Sequence, residues 1–364
     1  MYKTGVADLE VSMNSKVRNI LLALMIILII YFEIHSCSEN EVLVPEPEVV
    51  ENIVYNASDL YFINSREGWI VGQMGTVART ADGGESWESE VIDSLNLNSI
   101  YFVDNMNGWI VGEESSLYRT TNGGDTWQKI EPEGLPGDDI FNDVYFLDVT
   151  AGYILGRQGL YKTVNGGDAW ENNWLPVDES KGAWDFCMVD PERIFLLGSR
   201  WNQPDPELLY SSGDGADTWV QVEGTNYSIL EGILTIFFID ENNGWGAGAR
   251  IMKTADGGNS WITQENSTLV RDIAFVDQDR GFTVGADRIA TTADGGETWT
   301  EILENDDRIV DLRSIYFLDE NYGWIAGRGR EEVMGGITCQ NSLLISTTNG
   351  GASWEVKELP WKIE

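Results

Sequence analysis

A single histidine, His35, stands in the 364-residue chain, and it falls in an N-terminal leader. Beyond that leader, Ser-His-Asp and Cys-His nucleophiles and His-ligated metals have no imidazole to use. The chain as a whole has 60 carboxylates, 23 lysines and arginines and three cysteines. Two carboxylates at glycosidase separation would suit sugar hydrolysis, so a glycan-active enzyme is one reading of such a chain. Arginine supports another, because its planar fork grips carboxylates in bidentate pairs. Arg157, Arg200, Arg250, Arg288, Arg328 and Arg330 are six of the fourteen arginines beyond the leader, and they gather in one class of turn. Trp201, Trp174 and Trp184 are close to them in sequence or in the adjoining connection, and add flat apolar surface.

The net charge of −37 lies wholly beyond residue 36, since the leader balances three basic against three acidic side chains. Such a surface repels nucleic acid and anionic headgroups. The leader (1–36) has Lys16 and Arg18 before an apolar run from Ile20 to Phe32, the pattern of a signal peptide. Met13 gives a more ordinary start than the acidic residues upstream. Ile34-His35-Ser36-Cys37 resembles a bacterial lipoprotein box with Cys37 as the lipidated residue, and a plain secretory signal or a retained anchor are the alternatives. Residues 37–52, with Pro45 and Pro47 among carboxylates, read as an acidic tether. Cys187 reads as a small buried residue and Cys339 as a loop thiol, with no disulfide expected between them.

These residues must be positioned by whatever fold the rest of the chain makes, and that part repeats itself. Arg79-Thr80-Ala81-Asp82-Gly83-Gly84-Glu85-Ser86-Trp87 returns around Asn122 to Trp127, Asn165 to Trp170, Asp214 to Trp219, Asp256 to Trp261, Asp294 to Trp299 and Asn349 to Trp354. The Trp-to-Trp spacings of 40, 43, 49, 42, 38 and 55 residues have the period of a propeller blade. Each unit carries four strand signals. An apolar run such as Leu60-Tyr61-Phe62-Ile63-Asn64 comes first, then Gly68-Trp69-Ile70-Val71-Gly72, then a strand entering the Asp/Asn-Gly turn, then one beginning at the Trp. The prediction is all-β: a seven-bladed propeller of four-stranded antiparallel blades over 53–364. Asn52 to Asp59 could pair with the last blade to close the ring, or Trp354 to Lys357 could fill that place.

The turn motif itself is read as structural. Its Asp or Asn caps backbone N–H groups and its glycines supply positive φ. Copies with Asn keep the acceptor without the charge, which suits a turn better than a metal site. No metal and no cofactor are expected. Arg79, Arg119, Lys162 and Lys253, which end the third strand, are expected to form structural ion pairs. Turns between the second and third strands share the opposite face with the blade connections, and both long insertions, Ser199 to Pro206 and Arg328 to Ser342, are expected as loops there.

The linked elements Tyr-Phe-x-Asp, Gly-Trp-x-x-Gly and Asp-Gly-Gly-x-Thr-Trp resemble the photosystem II stability/assembly factor family, and the turn resembles the Asp-box of sialidases. The resemblance covers everything beyond leader and tether. It implies a seven-bladed propeller that binds protein without catalysis, partly through an arginine-rich patch. The Phe/Tyr-Arg-Ile-Pro motif of sialidases is absent, and the paired propellers of xyloglucan-active relatives have no counterpart. The expectation is a lipid-anchored, monomeric propeller that binds an envelope protein or glycan on its Arg/Trp face; a glycan-active enzyme is the alternative. Only the N-terminal lipid would touch a membrane.

Overall fold

A computed structural model describes residues 56–131, 133–172, 181–200, 208–223, 230, 232–265, 269–286, 288–303, 307–334 and 337–359. The leader, Cys37, the tether, Trp174 and Trp201 lie outside these residues. The described strands form seven antiparallel sheets of four, each built from consecutive strands. The blades span 57–91, 97–129, 141–172, 181–221, 233–265, 272–303 and 309–359. This is the seven-bladed, all-β propeller expected from the repeat. Among the named elements the single 3-10 turn Gln73–Gly75 is the one piece of helix.

Position within a blade explains composition. The second strand, such as Gly68–Gly72 or Gly108–Gly112, is buried at every residue, because neighbouring blades cover both its faces. The first strand, such as Ala57–Phe62, alternates buried and half-buried residues, because one of its faces lines the central channel. The fourth strand, such as Glu88–Val91, is largely exposed and carries charge along an outer edge.

Aromatic stacking joins one blade to the next. In most blades the second-strand ring lies flat on the first-strand Phe of the next: Trp69 on Phe102 at 3.8 Å, Trp109 on Phe146 at 3.6 Å and Trp245 on Phe275 at 3.6 Å. Trp324 on Phe62 at 3.8 Å repeats this across the closing seam. Indole N–H groups reinforce the joint, as Trp109 donates to the Gly166 carbonyl at 3.1 Å and Trp245 to Gly295 at 3.0 Å. The glycine that opens the second strand makes room for the ring below. A Cβ on Gly68 would stand 2.5 Å from the Phe62 ring.

The repeated Asp/Asn turns are hydrogen-bonded as capping requires. Thr80 Oγ1 donates to Asp82 Oδ1 at 2.8 Å and accepts the Gly84 N–H at 2.9 Å. Asp82 Oδ1 accepts the Ser86 N–H at 2.9 Å, while Ser86 Oγ donates to Asp82 Oδ2 at 2.6 Å. The same N–H bond recurs at Asn122, Asn165, Asp214, Asp256, Asp294 and Asn349. Gly83 and Gly84 take φ of 83° and 96°, where a side chain would be strained. Of the closing tryptophans, Trp87 and Trp170 return their indole N–H to the turn, on Gly84 and Gly167.

The third-strand cations reach the next blade's turn. Arg79 pairs with Asp125 at 2.5 Å, Arg119 with Asp168 at 3.1 Å and Lys162 with Asp217 at 2.6 Å. Lys253 instead lies over the Trp245 ring at 5.7 Å. At the closing seam Lys357 bonds Glu85 at 2.5 Å.

Three expectations need correction or a choice. Of the two ways to close the ring, Glu355–Leu359 fills the outer place of blade 7, while Ala57–Phe62 is the inner strand of blade 1. The blade 7 insertion is a hairpin, not a loop: the second and third strands, Gly323–Met334 and Ile337–Thr347, extend as a pair until Met334 faces Ile337. Cys339 therefore lies on a strand, opposite Glu332. In blade 4 the second strand likewise continues to Arg200. Cys187 is half-buried and not fully buried; its thiol accepts the Phe238 N–H at 3.1 Å, and burial pushes its pKa up to about 12.

Candidate functional site: an arginine mouth above a carboxylate ring

The first strand of blade 7, Ile309–Phe317, has nine residues and two register shifts against its partner. Most of the other first strands have one shift and six residues. The extra bulge places Asp311 opposite Arg328 on the face of the blade connections. Asp311 is 6% exposed, and three guanidiniums converge on it. Arg271 Nε approaches Oδ1 at 3.3 Å, while Arg313 Nε and Arg328 Nη2 approach Oδ2 at 3.3 and 3.4 Å. Arg271 comes from the connection into blade 6, and the other two from blade 7.

Three positive charges thus meet one negative charge in a protein of net −37. Burial depresses the Arg313 pKa, and the neighbouring Arg328 and Arg271 add to that, while Asp311 opposes it. A guanidinium stays protonated under such pressure, so all three side chains around Asp311 remain cationic. Exposed Leu234, Leu269 and Val310 stand on the connections or strand starts of blades 5, 6 and 7, on this same face. A cationic centre with apolar surroundings can take a carboxylate-bearing chain.

The sequence-predicted residues distribute unevenly around this centre. Arg328 belongs to it. Arg288 instead pairs with Glu301 on its own blade. Arg157 is exposed in the blade 3 turn, with its N–H on the Ile140 carbonyl at 3.1 Å. Arg250 is half-buried in the blade 5 turn. Trp184, Arg200 and Arg330 are placed by their strand backbones alone, and their side chains are outside the description. Arg271 and Arg313 were not among the expected residues, because they sit at first-strand positions and not in the turns that were counted.

One residue further along each first strand lies a second feature that the repeat pattern did not disclose. Asp59, Ser99, Asp143, Asp185, Thr235, Asp272 and Ser314 occupy equivalent positions facing the channel. The carboxylates bridge blades: Asp59 Oδ2 accepts the Ile100 N–H at 3.1 Å, Asp185 Oδ2 that of Ile236 at 2.7 Å and Asp272 Oδ2 that of Ile315 at 2.9 Å. Ser99 Oγ donates to Asp143 at 2.8 Å, and Ser314 Oγ to Asp59 at 3.0 Å. Two residues deeper, Tyr61, Tyr101, Tyr145 and Tyr316 form a run of rings with centroids 4.6 to 5.1 Å apart.

Enclosure by protein raises the pKa of all four carboxyls. Asp143, Asp185 and Asp272 reach about 7, with mutual repulsion adding to burial. Asp59 is raised as well, against the hydrogen bonds it accepts. The carboxylates are nonetheless half-buried by exposure, since the channel itself admits solvent to them. A sequence signal for them existed: carboxylates inside apolar strand runs, as in Ser58-Asp59-Leu60-Tyr61-Phe62 and Asn142-Asp143-Val144-Tyr145-Phe146.

Comparison with known proteins agrees with this architecture. No curated protein sequence matches the chain. A solved structure described as "YCF48 bound to D1 peptide" is 21% identical, superposes with a TM-score of 0.62 and covers 75% of this chain and 91% of its own. YCF48 from Cyanidioschyzon merolae is 20% identical, with a TM-score of 0.62 over 84% of this chain and 98% of its own. PorZ, described as a surface component of the type-IX secretion system of Porphyromonas gingivalis, is 12% identical at TM-score 0.57 and shares the fold over 39% of its length. The family model described as photosynthesis system II assembly factor YCF48 matches residues 46–140 and 263–364, more than half of the chain. The chain belongs to the YCF48 family of propellers.

Proposed function

We propose that this protein is a non-catalytic, lipid-anchored propeller of the cell envelope that holds a partner protein by an acidic, extended segment at the arginine mouth. The observation that carries the reading is the convergence of Arg271, Arg313 and Arg328 on Asp311. A partner carboxylate could join Asp311 in accepting from these three guanidiniums. A relative of the same family is described as bound to a peptide, which supports a peptide as the class of ligand. Arg157, Arg250 and Arg288, with Arg200, Arg330, Trp174, Trp184 and Trp201, would extend the contact along the same face. The box ending at Cys37 supports anchoring by lipid.

The test uses a fluorescein-labelled Asp/Glu-rich peptide and its Asn/Gln counterpart, followed by anisotropy. Binding of the acidic peptide alone is expected. Arg313→Gln or Arg271→Gln should weaken it about tenfold, the loss of one charge-assisted pair. Equal binding of both peptides, or no effect of either substitution, would overturn the reading, and preference for acidic oligosaccharides over the peptide would move it to a glycan partner. For the anchor, radiolabelled palmitate should enter the wild-type protein and not Cys37→Ser.

A further inference from the structure

The second and third strands of blade 7 have twelve and eleven residues. Those of blades 1 to 3, 5 and 6 have five and four or five. The strands that flank this pair end early. Ile309 faces Gly329 at the start of the first strand, and Leu359 faces Ser342 at the end of the fourth. Beyond those points the hairpin continues on its own, with Glu331 facing Gln340 and Met334 facing Ile337. Among the described strands, none pairs with either outer edge of this extension. In an antiparallel ladder alternate residues turn both N–H and C=O outward, so each edge presents a row of backbone donors and acceptors.

The two edges are not equivalent. The third-strand edge lies in line with the chain's own continuation past Leu359, where Pro360 has no N–H to give. The second-strand edge, residues 330–334, lies in line with Ile309–Phe317, and residues 307–308 ahead of that strand are in a turn. A segment that takes this line runs antiparallel to the second strand, as Ile309–Phe317 does, and its C-terminal end arrives at Ile309. That is where Asp311 faces Arg328 and gathers Arg271 and Arg313. Arg330 is two residues from Arg328, about 7 Å along an extended chain. A register shift between Arg328 and Glu331 separates the cluster from the edge. Along the edge the sequence reads Glu331-Glu332-Val333-Met334. The line therefore disfavours acid at its outer end and favours it at the arginines.

We propose that the second-strand edge of the blade 7 hairpin, residues 330–334, is the docking site for an extended partner segment, which pairs with it antiparallel and carries acidic residues at its C-terminal end to Arg271, Arg313 and Arg328. The segment that fits is uncharged and β-branched along the edge and acidic after it. Backbone hydrogen bonds supply attraction along the edge, and the guanidiniums fix the direction. This rests on the peptide reading above, which puts acid at the mouth but gives the ligand neither a direction nor a backbone partner. The other occupant that such an edge invites is a second copy of this chain.

The test measures anisotropy of labelled peptides on the wild-type protein. Thr-Val-Thr-Val-Thr-Asp-Glu-Asp is compared with the order Asp-Glu-Asp-Thr-Val-Thr-Val-Thr, and with two forms of the first N-methylated at either the Val or the internal Thr residues. The acid-last peptide should bind about tenfold tighter than the acid-first one. One methylated form should lose about tenfold and the other little, because alternate N–H groups face the hairpin. Amide exchange at 330–334 should slow when the first peptide binds. Replacing 330–341 by Asn-Gly should abolish the preference for order while Arg313→Gln still weakens binding. If that variant does not fold, the methylated pair and the exchange data on the wild-type protein decide. Equal binding of both orders and both methylated forms, with the Arg313→Gln effect intact, would overturn the edge and leave the mouth reading standing. Failure of every acidic peptide to bind would overturn both. Self-association that disappears with the hairpin, with exchange at 330–334 indifferent to peptide, would give the edge to a second copy and overturn the proposal.

Discussion

The two faces of the propeller treat charge in opposite ways. On the face of the repeated turns, acids have partners fixed by the repeat. Asp82 is bonded by Ser86 and Thr80, Asp125 by Arg79 and Asp168 by Arg119. At the mouth and channel, charges share partners: three arginines divide one aspartate, and four aspartates share a ring of hydroxyls and backbone N–H groups. A motif copied seven times carries its own hydrogen-bond partners with it, so it arrives satisfied. The mouth depends on residues that occur once, such as the extra bulge at Asp311, and its three guanidiniums share that one carboxylate.

The comparison can be broken most severely through what the two faces share. Phe146 lies flat under Trp109 and edge-on to Trp170, so Phe146→Ala should cost about 3–5 kcal/mol in denaturant unfolding and loosen both faces together. Asp311→Asn sharpens the contrast. It leaves three guanidiniums facing one another and should cost about 1–3 kcal/mol, moderated because the arginines are partly exposed. The same change should strengthen acidic-peptide binding, whereas a purely structural Asp311 would weaken it.

On the turn face the effects are smaller. Thr80→Ala removes one cap from one turn of seven and should cost about 1 kcal/mol by thermal unfolding. Arg79→Ala breaks an exposed pair and should cost less than about 1 kcal/mol, shrinking further in salt. The faces also differ in the sign of their pH dependence. At Asp82, slight burial works against ionisation, but hydrogen bonds from Ser86 and Thr80 outweigh it and lower the carboxyl to about 2. At Asp294 those from Thr298 lead the same effect. Their contribution is present above the ordinary carboxylate range and fades as pH falls toward about 2. The raised channel carboxyls bind more protons folded than unfolded, so their contribution is lost as pH rises through about 7. Unfolding followed from alkaline to acidic pH should therefore show stability rising, then falling.

The blades were legible because each repeats a short-range grammar: a Gly before a ring, an Asp or Asn before two glycines, a Trp after them. The mouth was not, for a physical reason. Arg271 and Arg313 occupy the inner-strand position just before Asp272 and Ser314, where the five other blades place Ser58, Asn98, Asn142, Trp184 and Leu234. No period predicts a residue that departs from the period. The blade 7 hairpin was open to inspection, since Gly335-Gly336 between Val333-Met334 and Ile337-Thr338 is a two-residue hairpin signal. The surrounding Arg-Gly-Arg-Glu-Glu lacks the alternation that marks a strand, and polarity read as loop.

Every blade here consists of four consecutive strands, and the closing seam is joined by the same stack and carbonyl contact as the internal ones. Among the described strands, no sheet is shared between the first and last blades. The ring can therefore be recut at any blade boundary, or lengthened by copying one unit, without dividing a sheet. Order along the polypeptide and position around the circle are then independent variables, and evolution can exchange whole sectors of the rim while leaving the hub untouched.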